Sequence, residues 1–156
     1  MRMPKNLAAR GAGAIVAVTA MAALTLAGSG TANASVPGGV TMRNVNTGRC
    51  IDDSFGYGLR SYGCNGLSYQ QWIFQGPTLV LKNANTLRCM DDSSGYGLRS
   101  YGCNGLDYQQ WVEYTGPNGS YIYKNKHTGR CIDDSSGYGL RSFGCNGLTY
   151  QDWNVS

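Results

Sequence analysis

Three pairs of neighbouring aspartates are the residues of this 156-residue chain whose type and spacing suggest chemistry. Two carboxylates can cleave a glycosidic bond when one acts as an acid and the other as a base or nucleophile. These two roles require two different environments, whereas each pair here stands in almost the same local sequence. We therefore expect binding rather than catalysis from the pairs Asp52-Asp53, Asp91-Asp92 and Asp133-Asp134.

The aspartate pairs lie in three copies of one 24-residue sequence, at residues 49–72, 88–111 and 130–153. The copies align without a gap and are identical at 19 positions. The nine residues before each copy also match, which gives repeats at about 40–78, 79–120 and 121–156. Such a period is typical of a fold built from equivalent units.

Each repeat has the pattern of short β-strands. Apolar residues alternate at its start, as at Val40 and Met42, which predicts a half-buried strand. Glycine- and asparagine-rich turns interrupt the later runs, and no segment of useful length has a helical period. We expect about four strands in each repeat. Because one repeat cannot bury its own apolar face, we expect the three to close around a shared axis, which leaves no exposed strand edge.

Residues 1–34 have the pattern of a secretory signal peptide. Three basic residues precede an uncharged, alanine-rich run at 11–27, and a small-residue Ala-Asn-Ala sequence ends at residue 34. The run is short for a membrane span. We therefore predict a secreted, extracellular protein with one mature domain, residues 35–156, and no membrane span.

The charge of the predicted mature domain argues against a nucleic-acid partner. Three of the 13 Lys and Arg but none of the nine Asp and Glu lie in residues 1–34, so the remaining domain has a net charge of +1. Binding to a phosphate backbone requires a strongly basic surface.

The six cysteines form three pairs with a separation of 14 residues. An even number of cysteines in a secreted chain predicts disulfides. A zinc or dithiol site is not indicated, because the chain has no C-x-x-C and only one histidine, His127. We expect no cofactor or metal. The repeat symmetry favours one bridge in each repeat: Cys50–Cys64, Cys89–Cys103 and Cys131–Cys145.

Each copy has Cys-Ile-Asp or Cys-Met-Asp near its start and ends in Gln-x-Trp, at residues 70–72, 109–111 and 151–153. This triple pattern resembles the ricin B-type β-trefoil lectins, and in style the small three-repeat actinomycete lectins. The resemblance covers essentially all of residues 35–156. It implies an all-β trefoil of twelve strands with pseudo-threefold symmetry and up to three equivalent sugar pockets.

The resemblance also implies the residues that bind carbohydrate. An acceptor, an amide and a ring suit the hydroxyl rim and the C–H face of a sugar. The same residues could instead be turn chemistry copied by duplication. We expect the glutamine to hold the aspartate by a hydrogen bond and the motif tryptophan to fill the core. The predicted site residues are Asp52, Tyr62, Asn65, Tyr69 and Gln70 in the first repeat, Asp91, Tyr101, Asn104, Tyr108 and Gln109 in the second, and Asp133, Phe143, Asn146, Tyr150 and Gln151 in the third.

The sequence allows more than one role for three further side chains of the repeat. The second aspartate, Asp53, is expected to be structural, capping a turn or pairing with Arg49 or Arg60. Arg60 either pairs with Asp53 or reaches into the pocket, where its guanidinium would favour acidic sugars. Tyr57 either forms an outer wall of the pocket or packs on the neighbouring hairpin. The equivalent arginines are Arg99 and Arg141, and the equivalent tyrosines are Tyr96 and Tyr138.

These observations predict a monomeric, non-catalytic lectin that binds a polysaccharide or glycoprotein glycans multivalently. Two alternatives stay open. A trefoil-type protease inhibitor would use a protruding loop, and the segment 112–120 is three residues longer than its counterpart. A structural cell-surface protein is the other alternative.

Overall fold

The computed structural model describes residues 37–156, and the predicted signal peptide at 1–34 lies outside them. Within this range the chain forms twelve short strands and four 3-10 helices. The strands are β1 (Gly39–Asn44), β2 (Cys50–Ser54), β3 (Gly58–Tyr62), β4 (Gln71–Gln75), β5 (Val80–Asn83), β6 (Cys89–Ser93), β7 (Gly97–Tyr101), β8 (Trp111–Thr115), β9 (Tyr121–Asn125), β10 (Arg130–Ser135), β11 (Gly139–Gly144) and β12 (Trp153–Val155). The 3-10 helices are Ser68–Gln70, Asp107–Gln109, Pro117–Gly119 and Thr149–Gln151.

Six of the strands form a closed antiparallel barrel. Strand β1 pairs with β4 and β12, β4 pairs with β5, and β9 pairs with β8 and β12. A bridge between Leu79 and Trp111 joins the β5 and β8 sides. The predicted closure is confirmed, and each strand of the barrel has a neighbour on both sides.

The other six strands form three hairpins, β2–β3, β6–β7 and β10–β11. The hairpins contact one another through β3, β7 and β11. Each hairpin turn ends at a glycine in the left-handed region, such as Gly58 with φ +69°, a conformation that a side chain disfavours. A six-stranded barrel with three hairpins at pseudo-threefold positions is a β-trefoil, as predicted.

The three motif tryptophans fill the core, as expected. Each is at most 1% exposed, and each indole Nε1 donates to a main-chain oxygen of the first hairpin strand at 3.1 Å. Burial of these rings removes roughly 150–250 Å² of surface each and ties the barrel to the hairpins. The core cluster consists of Met42, Ile51, Trp72, Leu81, Met90, Trp111, Tyr123, Ile132 and Trp153.

The three predicted disulfides are confirmed, Cys50–Cys64, Cys89–Cys103 and Cys131–Cys145. Each joins the start of a hairpin to the loop that follows the hairpin. The bridges therefore fix the loop that carries the predicted asparagine, one residue after the second cysteine.

The second aspartate of each pair joins neighbouring repeats. Asp53 is completely buried and accepts hydrogen bonds from Arg88 Nη2 at 2.5 Å and from Ser100 Oγ at 2.6 Å. The Thr86 hydroxyl also donates to it. The predicted pairing with Arg49 or Arg60 is wrong, because the Asp53 side chain faces the next repeat. The equivalent pairs are Asp92–Arg130 and Asp134–Arg49.

Asp152 departs from the threefold symmetry of the sequence, and its burial is expected to lower the stability of the fold. It replaces the glutamine found at positions 71 and 110, it is 2% exposed, and its Oδ1 has no partner among residues 37–156. Burial raises the pKa of the Asp152 carboxyl. The ionised form is therefore less favourable in the folded state than in the unfolded state.

Replacing Asp152 by glutamine is expected to increase the free energy of unfolding at pH 7 by about 1 kcal/mol, because it removes the cost of burying an ionised carboxylate whose Oδ1 has no partner among residues 37–156. In the wild type, stability falls as the pH rises from the unfolded pKa of about 3.9 through the raised folded pKa. The gain should therefore be present at pH 7 and disappear near pH 3. Urea denaturation at the two pH values measures it, and an equal gain at both would contradict this explanation.

Candidate functional site

Each repeat has one open hollow beside its hairpin. The first hollow has a volume of about 340 Å³, the second about 310 Å³ and the third about 390 Å³. The first is lined by Asp52, Ser54, Phe55, Gly56, Tyr57, Arg60, Asn65, Leu67, Tyr69 and Asn85. Most of the equivalent residues around Asp91 and Asp133 line the second and third hollows, where Ser94 and Ser136 take the place of Phe55.

The structure brings three of the five predicted residue types together in every hollow. These are the first aspartate, the asparagine after the second cysteine, and the tyrosine of the 3-10 helix. The ring before the second cysteine lines only the third hollow, as Phe143, whereas Tyr62 and Tyr101 lie outside the lining. The glutamines Gln70, Gln109 and Gln151 are buried beneath the hollows.

The first aspartate forms the floor of the hollow. Asp52 is 2% exposed; its Oδ1 accepts from Arg60 Nε at 3.2 Å, and its Oδ2 accepts from Gln70 Nε2 at 3.4 Å. The predicted pairing of Arg60 with Asp53 is therefore wrong. The β2–β3 register explains why, since it places Arg60 directly opposite Asp52. The other hollows repeat this arrangement with Arg99 on Asp91 and Arg141 on Asp133, both at 3.0 Å.

The glutamine holds the aspartate, as the sequence suggested, and it also holds the loop after the hairpin. Gln70 Nε2 donates to the Gly63 carbonyl oxygen at 2.9 Å, and Gln70 Oε1 accepts from the Asn65 main-chain N–H at 2.8 Å. Because Gln70 is completely buried, it positions Asp52 and Asn65 and does not reach the open side of the hollow. Gln109 and Gln151 make the same contacts.

Arg60 packs against two aromatic rings. Its guanidinium carbon lies 4.2 Å from the centroid of the Tyr57 ring and 4.5 Å from that of Tyr62. Such cation–π contacts fix the side chain further. Tyr57 is 75% exposed and lines the hollow, so it forms the outer wall that was one of its two expected roles. Tyr62 packs on the arginine instead of lining the first hollow.

One wall of the hollow comes from the following repeat, which the sequence analysis missed. Asn85 lines the first hollow and donates from Nδ2 to Ser68 Oγ at 3.1 Å. Two residues earlier, Asn83 Nδ2 donates to the Tyr69 carbonyl oxygen at 2.8 Å, which ties this turn to the tyrosine of the hollow. The repeated Asn-x-Asn before Thr was the available signal, but turn chemistry accounted for it equally well.

The second hollow lacks this amide wall. Residue 127, the counterpart of Asn46 and Asn85, is a histidine, and its ring centroid lies 4.1 Å from that of Tyr108. The neighbouring rim carries an exposed ion pair, with Lys126 Nζ 3.0 Å from Asp107 Oδ1. The three hollows are thus alike at the floor but not at the wall.

Residues 37–156 contain no group of three or more His, Cys, Asp or Glu side chains that could hold a metal ion. All six cysteines are in disulfides. Over the same range, no helix is long and apolar enough to cross a membrane.

Comparison with known proteins identifies the domain. A family model described as the ricin-type beta-trefoil lectin domain matches residues 38–153. A comparison with curated protein sequences finds no match.

Solved structures share the fold at low sequence identity. The designed threefold-symmetric protein ThreeFoil has a TM-score of 0.69 at 18% identity, over 76% of this chain and 97% of that one. The Macrolepiota procera ricin B-like lectin, solved with lactose, has a TM-score of 0.64 at 17% identity, over 76% and 94%. An exo-beta-1,3-galactanase from Clostridium thermocellum has a TM-score of 0.67 at 22% identity, over 77% of this chain but only 30% of the enzyme.

Proposed function

This chain belongs to the ricin-type β-trefoil lectin domain family, and we propose that it is a secreted, non-catalytic lectin with three sugar-binding hollows. The observation that carries the proposal is the recurrence of one floor, an aspartate held by an arginine and a buried glutamine, at three positions of a closed barrel. Around each floor stand an amide, a tyrosine of the 3-10 helix and an exposed aromatic wall. These groups match the hydroxyl groups and the C–H face of a sugar.

The position of the second aspartate supports a role without catalysis. Glycoside hydrolysis needs two carboxyl groups on either side of the scissile bond. In the first hollow, Asp52 is the only lining residue with a carboxylate, whereas Asp53 is buried between repeats and hydrogen-bonded to Arg88. The hollow thus offers no second acid.

Three hollows on one rigid monomer favour clustered glycans. A shallow site with few hydrogen bonds binds a single sugar with a Kd on the order of mM to high µM. Simultaneous use of several sites raises the avidity by roughly 10²–10⁴ when the glycan spacing allows it. We therefore propose polysaccharides or densely glycosylated proteins as partners. The predicted signal peptide and the three disulfides support secretion into an oxidising compartment.

A glycan array tests the proposed function. The mature chain, residues 35–156, should bind a restricted set of glycans, and immobilised clustered glycan should bind far more tightly than the free monosaccharide measured by titration. No binding to any glycan would contradict the proposed function. Equal binding of the clustered and free forms would contradict multivalency alone. Inhibition of a panel of proteases would instead support the alternative of a protease inhibitor.

Replacing His127 by asparagine is expected to restore the amide wall of the second hollow. Loss of one amide hydrogen bond costs about 1 kcal/mol, so the second hollow of the wild type should bind sugar about fivefold more weakly than the first. An NMR titration with a sugar found on the array, followed at Tyr69, Tyr108 and Tyr150, measures the three affinities separately. In the variant, the affinity of the second hollow should rise about fivefold. Three equal affinities in the wild type would show that the Asn85 wall does not contact the ligand.

A further inference from the structure

We infer that each hollow recognises a sugar that carries a carboxylate, through the two terminal nitrogens of its arginine. The arginines are Arg60, Arg99 and Arg141 in the first, second and third hollows. This inference rests on the proposed function and specifies the class of its ligand as acidic saccharides.

The first observation is which nitrogen atoms of the arginine are used. Arg60 Nε donates to Asp52 Oδ1 at 3.2 Å, and within residues 37–156 neither terminal nitrogen of Arg60 has a hydrogen-bond partner. The side chain is 33% exposed, and it lines the hollow. The terminal N–H groups are thus available to a ligand. Arg99 and Arg141 repeat this pattern with exposures of 32% and 31%.

A second set of arginines in the same repeats shows the contrast. Arg88 uses both Nε and Nη2, donating to the two carboxylate oxygens of Asp53 and to the Ser54 carbonyl oxygen. Its Nε and Nη2 donors are used in the contact between repeats. The same repeat unit therefore contains one structural arginine and one with its outer edge unused.

The free edge of Arg60 is held in one orientation. The Asp52 carboxylate fixes Nε, and the rings of Tyr57 and Tyr62 lie 4.2 and 4.5 Å from the guanidinium carbon. A guanidinium fixed in this way presents two parallel N–H donors, the geometry that matches a carboxylate in a bidentate pair. Because the side chain is already ordered, binding costs less conformational entropy than it would for a free arginine.

The charges of the hollow also favour an anionic ligand. Asp52 and Arg60 are the only charged residues that line the first hollow. The Asp52 side chain is only 3% exposed, and both of its oxygens already accept hydrogen bonds. The charged group that a ligand meets is therefore the guanidinium. A hydrogen bond between two charged groups is roughly twice as strong as a neutral one.

Matched pairs of acid and ester test this inference. The probes are glucuronic acid, galacturonic acid and N-acetylneuraminic acid, each measured beside its methyl ester by NMR titration of the mature wild-type chain. At least one acid should bind about tenfold more tightly than its ester, which corresponds to 1.4 kcal/mol. The Nε–Hε signals of Arg60, Arg99 and Arg141 should shift with the acid and not with the ester. Higher salt should reduce the preference.

Two triple variants distinguish the effect of the arginines in the hollows from the effect of the net charge of the protein. In R60Q/R99Q/R141Q the preference for the acid should disappear, and in R60K/R99K/R141K, which keeps the charge without the planar fork, it should fall severalfold. The control R43Q/K82Q/K124Q changes the net charge equally at equivalent positions outside the lining of the hollows and should keep the full preference.

Two results would overturn the inference. If the esters bind as tightly as the acids, or if the preference survives in R60Q/R99Q/R141Q, the arginines do not read a carboxylate. Binding of neutral glycans on the array would in that case leave the proposed function intact. If neither acidic nor neutral glycans bind, both the inference and the proposed function are contradicted.

Discussion

Replacing Asp134 by alanine is expected to lower the free energy of unfolding by about 3 kcal/mol, the lower end of the cost of breaking a buried ion pair. Asp134 is completely buried and accepts from Arg49 Nη2 at 2.6 Å and from Ser61 Oγ at 2.7 Å. The alanine would remove the carboxylate that the guanidinium and the hydroxyls of Ser61 and Thr47 share as an acceptor. The cost stays at the lower end because Arg49 is 32% exposed. Urea denaturation at pH 7, followed by tryptophan fluorescence, measures the change.

The surface pair Asp107–Lys126 provides the matched control. These side chains are 51% and 44% exposed, so Asp107→Ala should change the free energy of unfolding by less than about 1 kcal/mol. Asp134 joins the third repeat to the first, and Asp53 and Asp92 make the two other links. An Asp134→Ala variant no less stable than Asp107→Ala would show that these buried pairs do not hold the repeats together.

Replacing Asp52, Asp91 and Asp133 together by asparagine is expected to reduce binding to a clustered glycan by at least about 100-fold. Each substitution removes the charged acceptor that orients the arginine of the hollow, which should weaken a single site about tenfold. Loss at all three sites also removes the avidity, which is a multiplicative effect. Surface plasmon resonance on an immobilised glycan that the wild type binds measures the change.

The unfolding midpoint of the triple aspartate variant separates loss of binding from loss of fold. Asparagine keeps the shape of the side chain and can still accept from Gln70 Nε2, so the fold should persist. Glu113→Gln, which removes a carboxylate from an exposed position on β8, should bind like the wild type. A folded triple variant with undiminished binding would place the sugar site outside the hollows.

The sequence predicted the fold because its three copies constrain one another. The alternation at Val40 and Met42 would be weak evidence in one repeat, but its recurrence in all three predicts the barrel strands. The same symmetry selected the observed disulfide pairing from the 15 that six cysteines allow. The expectation that the motif tryptophans fill the core came from the resemblance to the family with its Gln-x-Trp motif.

The alternation of side chains along a strand correctly separated the two aspartates, but it could not give their partners. Asp52 faces the hollow and Asp53 faces the next repeat, as neighbours on one strand should. The partner of Asp52 depends on the register of the hairpin, which pairs it with Arg60 across the turn. The partner of Asp53 depends on how one repeat sits against the next, and no pattern within a repeat contains that information.

Only part of the lining of the hollow could be predicted, because one of its residues comes from a different repeat. Asn65 and Tyr69 belong to the repeat that supplies Asp52, and the family pattern included them. Asn85 comes from the following repeat, so only the closed barrel reveals it. Tyr62 was expected to stack on a ligand, yet in the structure Arg60 lies over its ring.

A crystal structure of the mature chain with the glycan that binds most strongly on the array tests the central claim most directly. We predict a sugar ring in the hollows above Asp52, Asp91 and Asp133, within hydrogen-bond distance of the terminal nitrogens of the arginine in each. A glycan bound to another surface, with the three hollows free of sugar at saturating concentration, would contradict it.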